Sequence, residues 1–340
     1  MSLIIRVTDP NNNWIALGAD SRWISTQLDE KKKKWVIFDI GDDAQKIFRV
    51  AENIAVTTNG STGFSYVPEE MPDSGVDVDS MLWDFARIHR RLNITKFIAE
   101  LREAVNGEID FEKELKILER KMVEALEEEN EKVVSIQRVQ KRNCPALEVC
   151  YRNKEKEKKI WEQKPDIDFT LSVNGYRYDS KDNALPVVVK LNFPENEVRD
   201  MSDTAYDCEA HGSMYIKEFS ESDFAIPIDS ELFGNILPLW ERKSDANNWI
   251  STVLFKLTRS IEKLHKGKFK TPREAADVIR EIISEVALLE GSGFKLKKRC
   301  KGKYGSAPYV GGPIDILRIH PKRGSDWLTV KHEISERENN

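Results

Sequence analysis

The order of apolar patterns along the chain predicts an α/β fold of the α+β kind, a four-layer α/β/β/α sandwich with helical insertions. Three observations lead there. The first sixty residues alternate short apolar runs with turn residues, the mark of strands. From about residue 78 to 140, and again from 245, apolar residues recur at helical spacing. Strands return at 167–193 and close the chain after 313. Strands, helices, strands, helices, strands is the order expected when two sheets face each other and each carries a helix pair outside.

Leu3-Ile4-Ile5-Arg6-Val7 begins an apolar run directly after Ser2, Asp9-Pro10-Asn11-Asn12 is a turn, and Trp14 to Asp20 is a second run, so the chain opens on a hairpin. Lys31 to Lys34 form a charged loop before a strand at Trp35-Val36-Ile37-Phe38. Further strands are expected at Lys46 to Val50 and at Asn53 to Thr58, the latter ending in a turn at Asn59-Gly60. Met81, Leu82, Phe85, Ile88 and His89 share one helix face. Leu115, Ile117, Leu118, Met122 and Leu126 recur likewise, and the mixed charges from Asp110 to Glu131 read as a solvent-facing helix. The Lys/Glu-rich stretch Asn153 to Lys164 reads as a surface loop or insertion. Strands follow at Ile167 to Tyr178 and Pro186 to Phe193.

A long helix is expected from Asp245 to Leu264, with Trp249, Ile250, Val253, Leu254, Leu257, Ile261 and Leu264 on one face. A second opens with Thr271-Pro272-Arg273-Glu274, a capping box with proline at the first helical position. Pro313 to Ile319, a turn at Lys322 to Ser325, and Asp326 to Val330 make a closing hairpin. No Pro/Gly/Ser-rich linker and no internal repeat divides the chain. It reads as one domain over 1–340.

Composition narrows the function classes. The 340 residues are 40% hydrophobic and 33% charged, enough to build a core with a well-solvated surface. The net charge of −5 and pI near 5.8 argue against a dedicated nucleic-acid binder. The lysine-rich pieces at 31–34, 154–159 and 295–299 therefore read as solvated surface, and Trp35 and Trp161 as core or edge anchors. No apolar stretch is long enough to span a membrane, and the N-terminus lacks the pattern of a signal peptide, so a cytoplasmic protein is expected. Cys144, Cys150, Cys208 and Cys300 are too scattered for a disulfide scaffold, and Cys144 and Cys150 lack a nearby histidine for zinc. No cofactor or metal is expected. A Gly-x-Ser-x-Gly elbow, a P-loop, His-Glu-x-x-His and a dinucleotide fingerprint after a strand are all absent, and His89, His211, His265, His320 and His332 do not cluster.

What remains is the opening hairpin. If Met1 is removed, Ser2 becomes the terminal residue and carries its own base, an α-amino group with a pKa of about 7.7–8.0. That amine, when neutral, can take the hydroxyl proton without a histidine. A nearby lysine cation would disfavour its protonation. Lys46 and Asp20 can supply the cation and its carboxylate partner, and a backbone N–H at Gly60 can serve an oxyanion.

Gly18-Ala19-Asp20-Ser21-Arg22, then Gln45-Lys46-Ile47-Phe48-Arg49-Val50, then Ala55-Val56-Thr57-Thr58-Asn59-Gly60-Ser61 resemble the opening of a proteasome β-subunit and its bacterial relatives. Ala210-His211-Gly212-Ser213 resembles that family's Gly-Ser-Gly-Ser segment, and Tyr309-Val310-Gly311-Gly312 its Tyr-Ser-Gly-Gly. These motifs run in the right order over most of the chain. The resemblance implies an N-terminal-nucleophile hydrolase fold, with Ser2 as nucleophile, Asp20 as carboxylate, Lys46 as cation and Gly60 as oxyanion donor, and against the family's pattern it implies insertions around 23–44 and within 80–165. It places His211 and Ser213 near the terminal amine as auxiliary groups. It also implies a peptide or protein substrate and homo-oligomeric rings or open rings, and leaves room for an unfoldase or other delivering protein. Departures are present: Ser2 replaces the usual threonine, His211 stands where a serine is expected, Ala307 where an aspartate is, and Val310 where a serine is. The alternative is a catalytically inactive homologue of the same fold, acting as an oligomeric interaction or scaffold protein.

Overall fold

The computed structural model describes residues 2–9, 11, 13–29, 34–60, 63–64, 76–89, 92–108, 111–141, 144–163, 169–193, 196–211, 246–291 and 310–330. Of some of these, including Ser2, most of 24–39, 246–251, Ala210 and His211, the backbone alone is described. The architecture is α+β, with five helices and antiparallel sheets among the described residues.

The opening hairpin is β1 (Ser2–Thr8) and β2 (Ile15–Ala19). Next, β3 (Trp23–Asp29) and β4 (Lys34–Gly41) pair as a separate two-stranded sheet. β5 (Ile47–Ala51) and β6 (Ile54–Gly60) precede the two-residue strands β7 (Gly63–Phe64) and β8 (Val76–Asp77). Helices α1 (Val78–His89), α2 (Ile94–Glu108) and α3 (Phe111–Glu128) lead into β9 (Lys132–Lys141), β10 (Cys144–Arg152) and β11 (Lys158–Gln163). Two long strands, β12 (Phe169–Tyr178) and β13 (Ala184–Phe193), are followed by β14 (Glu197–Asp200) and β15 (Tyr206–His211). The last elements are α4 (Ala246–Lys266), α5 (Pro272–Gly291), β16 (Asp315–His320) and β17 (Gly324–Thr329).

Two five-stranded sheets carry the body, in the orders β15-β1-β2-β16-β17 and β14-β13-β12-β6-β5. Strand alternation explains how they pack. On β1, Leu3, Ile5 and Val7 point to one side and join Val253 and Leu257 of α4 and Ile279, Ile282 and Val286 of α5 in one core. Ile4 points the other way and joins Ile15, Leu17 and Ala19 with Ile47, Ala55 and Tyr176 of the second sheet. The outer face of that second sheet, through Phe48, Val56, Phe169 and Leu171, packs on Leu82 and Phe85 of α1 and Phe97 and Leu101 of α2. At the start of α5 the Thr271 hydroxyl accepts from the Glu274 N–H, and the Glu274 carboxylate accepts from the Lys270 N–H at 2.8 Å, so the cap reaches one residue further back than the motif suggests.

The sequence expectations need correction in four places. The helical stretch ends at Glu128, and Lys132–Lys141 is the strand β9. Val133 and Ile136 sit three apart yet share one face, which mimics a helix. A bulge makes this possible in a strand, because the register slips opposite Cys150 and Tyr151. Second, α3 is not simply solvent-facing: Leu115, Leu118, Met122, Ala125 and Leu126 are buried against β9–β11. Third, the segment read as a surface loop at 153–164 is a short turn followed by β11, anchored by the buried Trp161. Fourth, β6 continues through Asn59 and Gly60, which pair with Thr170 and Phe169, so the expected turn does not begin there. The strands β3, β7, β8, β10, β14 and β15 have no counterpart among the sequence expectations. The Lys31–Lys33 loop, Ser213, Ala307 and Tyr309 lie outside the described residues.

Candidate active site

Asp20 follows β2 directly and turns back onto the first strand. Its N–H donates to the Leu3 carbonyl at 3.2 Å, and its Oδ1 accepts from the Leu3 N–H at 2.8 Å. The same oxygen takes the Lys46 ammonium at 2.7 Å. Oδ2 accepts from the Arg22 N–H at 3.2 Å and from the Gly311 N–H at 3.1 Å. A carboxylate has about four acceptor positions, and all four are used here. The Asp20 and Lys46 side chains are 0% and 5% exposed, so the ion pair is out of water. A buried pair of this kind is tolerated because its remaining hydrogen-bonding capacity is met.

The backbone of Lys46 is tied to the second sheet, since its carbonyl accepts from the Thr58 N–H at 3.0 Å. Gly60 is two residues beyond, at the end of β6, with φ of +105°. That backbone conformation is one that residues with a Cβ rarely adopt. The ion pair therefore stitches the start of β1, the end of β2 and the entry to β5 into one corner of the molecule.

A second ring of contacts holds the chain segment that reaches Asp20 from the far end of the sequence. The Ser21 N–H donates to the Gly311 carbonyl at 3.0 Å, and the Ser21 hydroxyl to the Pro313 carbonyl at 2.6 Å. Arg22 forms a two-pronged pair with Asp42 at 2.6 and 2.8 Å. A Cβ on Gly311 would come within 2.3 Å of the Arg22 guanidinium carbon, so a side chain there would push Arg22 away from its place. The sequence reading quoted Gly311 and Gly312 but assigned them no task; the paired glycines before a strand were the available signal.

Further along β1 lies a second polar group. Arg6 is opposite Asp207 of β15, and Ile4 opposite Glu209. Lys190 of β13 reaches across from the other sheet to Asp207 at 2.5 Å and Glu209 at 3.1 Å. Arg6 donates to the Thr8 hydroxyl and to the Thr204 carbonyl, while its Nε is buried without a partner. Burial pushes the Glu209 carboxyl above its ordinary range, and the two carboxylates hold the Lys190 ammonium above its own. Burial also lowers the Arg6 guanidinium and raises the neighbouring Cys208 thiol, which is a free cysteine. None of these groups was singled out from the sequence.

Of the residues expected at the site, Asp20 and Lys46 are in direct contact and are joined through Leu3 to the backbone next to Ser2. Ser2 lies in β1, in register with His211 of β15. The side chains of Ser2 and His211, and all of Ser213, lie outside the described residues. No family model and no curated protein matches the chain. No helix among the described residues is long and apolar enough to cross a membrane.

Proposed function

We propose that the chain is an N-terminal-nucleophile hydrolase of the proteasome-like kind, a single four-layer α/β/β/α domain with insertions, acting on peptide bonds. What supports the fold is the inter-sheet core around Ile4 and Ile47, with α4–α5 outside one sheet and α1–α2 outside the other. One observation carries the function: the buried Asp20–Lys46 pair, attached by hydrogen bonds to Leu3, next to the proposed nucleophile.

In this reading Ser2 becomes terminal once the peptide bond before it is cleaved. Its hydroxyl attacks the carbonyl carbon of the substrate, and the proton passes to the neutral α-amine, directly or through a water. The amine then returns the proton to the leaving nitrogen, and water hydrolyses the acyl ester. Lys46 keeps the amine neutral by disfavouring a second nearby cation, and Asp20 holds Lys46. The Gly60 N–H faces the oxyanion. The subunits assemble as rings or open rings.

The test compares chains with a free Ser2 amine against chains that retain Met1, verified by intact mass. With Met1 attached, the Ser2 nitrogen is an amide whose lone pair is delocalised, so it cannot accept the proton. Loss of that base should slow peptide hydrolysis by a factor on the order of 10²–10⁴. Ser2→Ala should abolish it and Ser2→Thr retain part. Equal rates with and without Met1 rule the mechanism out, and no turnover from a verified Ser2 terminus favours the non-catalytic alternative.

A further inference from the structure

Among the described residues, one helix, α3, packs on the sheet β11-β10-β9. Leu147, Val149, Tyr151 and Trp161 point toward the helix, with Val133 and Ile136 beside them. Alternation sends the intervening residues to the opposite face. The register sorts these into rows across the three strands. Lys132, Arg152 and Lys158 form the first row, Ser135, Cys150 and Ile160 the second, and Gln137, Glu148 and Glu162 the third. The first row is cationic, the second largely apolar and the third acidic. Ile160 on β11 is 61% exposed and Val134, the extra residue of the bulge on β9, is 50% exposed, while Cys150 on the strand between them is buried. Gln137 donates to Glu148 across the third row, so that row is preformed. Lys132, Arg152 and Lys158 make no ion pair among the described residues.

We propose that this face is where two copies of the chain meet, sheet against sheet about a two-fold axis. The pattern is self-complementary. An axis lying across the strands, through the Cys150–Ile160 row, turns one copy so that its cationic row covers the other copy's acidic row, at both ends at once. β10 then lies over β10 and β11 over β11. Arg152 meets the partner's Glu148, Lys158 meets the partner's Glu162, and Ile160 meets its own symmetry mate. A foreign acidic or basic partner would call for one sign of charge; both signs, ordered about an apolar row, call for a second copy.

Three strands about 4.8 Å apart and six residues at about 3.4 Å each give a patch of roughly 300 Å² per copy. That is below the roughly 800 Å² per partner of a stable dimer, so the contact is weak, salt-dependent and suited to joining copies held near one another.

The test uses the full chain in sedimentation velocity, up to about 1 mM protein, at low and high salt. Wild type should associate as concentration rises and lose that association at high salt. Arg152→Glu with Lys158→Glu makes both end rows acidic, and Glu148→Lys with Glu162→Lys makes both basic; each pair of changes alone should abolish the step. An equimolar mixture of the two variants should restore it, which also shows that both fold. In an Ile160→Cys chain, a bismaleimide about 8–10 Å long should link two copies, since facing sheets pack about 10 Å apart. Ser2→Ala should change none of this, so the result stands apart from the hydrolase reading. Wild type without concentration dependence, variants that associate like wild type, or a mixture that fails to recover overturns the proposal.

Discussion

At its start, β1 meets a carboxylate, Asp20, that is held by three backbone N–H groups and one lysine. Toward its far end, the same strand presents Arg6 to a group made of Lys190, Asp207 and Glu209, joined mainly through side chains. The first cluster is buried and the second largely so, and both contain cations and carboxylates, yet they are satisfied differently. Backbone donors do not titrate and move only when the chain moves. The Asp20 corner is therefore fixed in position by the backbone itself. The Arg6 group contains a guanidinium nitrogen without a partner and a carboxyl raised by burial, so its energy depends on where the protons sit. One end of β1 is built for geometry, the other is sensitive to charge.

The largest break in this contrast should come at the first cluster. Asp20→Ala leaves Lys46 buried without its carboxylate and strands three N–H groups, at a cost of about 3–5 kcal/mol, read from the urea midpoint. Asp20→Asn should cost less because it still accepts from the backbone. If peptide hydrolysis is present, Lys46→Met should reduce it even where the protein stays folded.

Lys190→Met should cost less, about 1–3 kcal/mol, because Lys190 and Asp207 are each 15% exposed and water takes up part of the lost pairing. Equal losses for Asp20→Ala and Lys190→Met would mean that backbone donors add nothing to the first cluster. Gly311→Ala places a methyl against Arg22 and should cost about 1–3 kcal/mol. Arg22→Ala in the same chain should return part of that, and the double-mutant cycle measures the coupling.

The smallest effect is a pH dependence. Burial raises Glu209, so its contribution is fully present below its unfolded value near 4.5 and is lost as pH rises through the folded value. Glu209→Gln stays neutral throughout, and its stability relative to wild type should rise from acid toward neutral pH. Lys190 is raised as well; its contribution persists through neutral pH and is lost as pH climbs past its unfolded value near 10.5. Thermal unfolding of wild type, Glu209→Gln and Lys190→Met across that range checks both signs. A wild-type curve parallel to both variants would show that the second cluster does not titrate.

Legibility followed the same divide. The opening hairpin, β12, β13, α4, α5 and the closing hairpin were readable because each buries one periodic apolar face against a neighbour. β15 was not, because Tyr-Asp-Cys-Glu-Ala-His carries its charges inward, and the cations that make this tolerable come from β1 and β13. β14, with all four residues exposed, has no buried face to announce it. β9 imitated a helix because a bulge shifts its apolar residues off strict alternation.

For the candidate site, the motifs that carry the family resemblance brought out Asp20 and Lys46, with Ser2 at the head of an apolar run. An aspartate ending a strand and a lysine beginning one are local patterns that survive without the fold. That Gly311 completes the coordination of Asp20 from 291 residues away was decided by the tertiary structure alone. So was the Arg6, Lys190, Asp207 and Glu209 group, drawn from three strands in two sheets. Local periodicity records which face of an element is buried; it carries no record of which distant donor will meet a buried charge, because that partner is chosen only when the sheets close on each other.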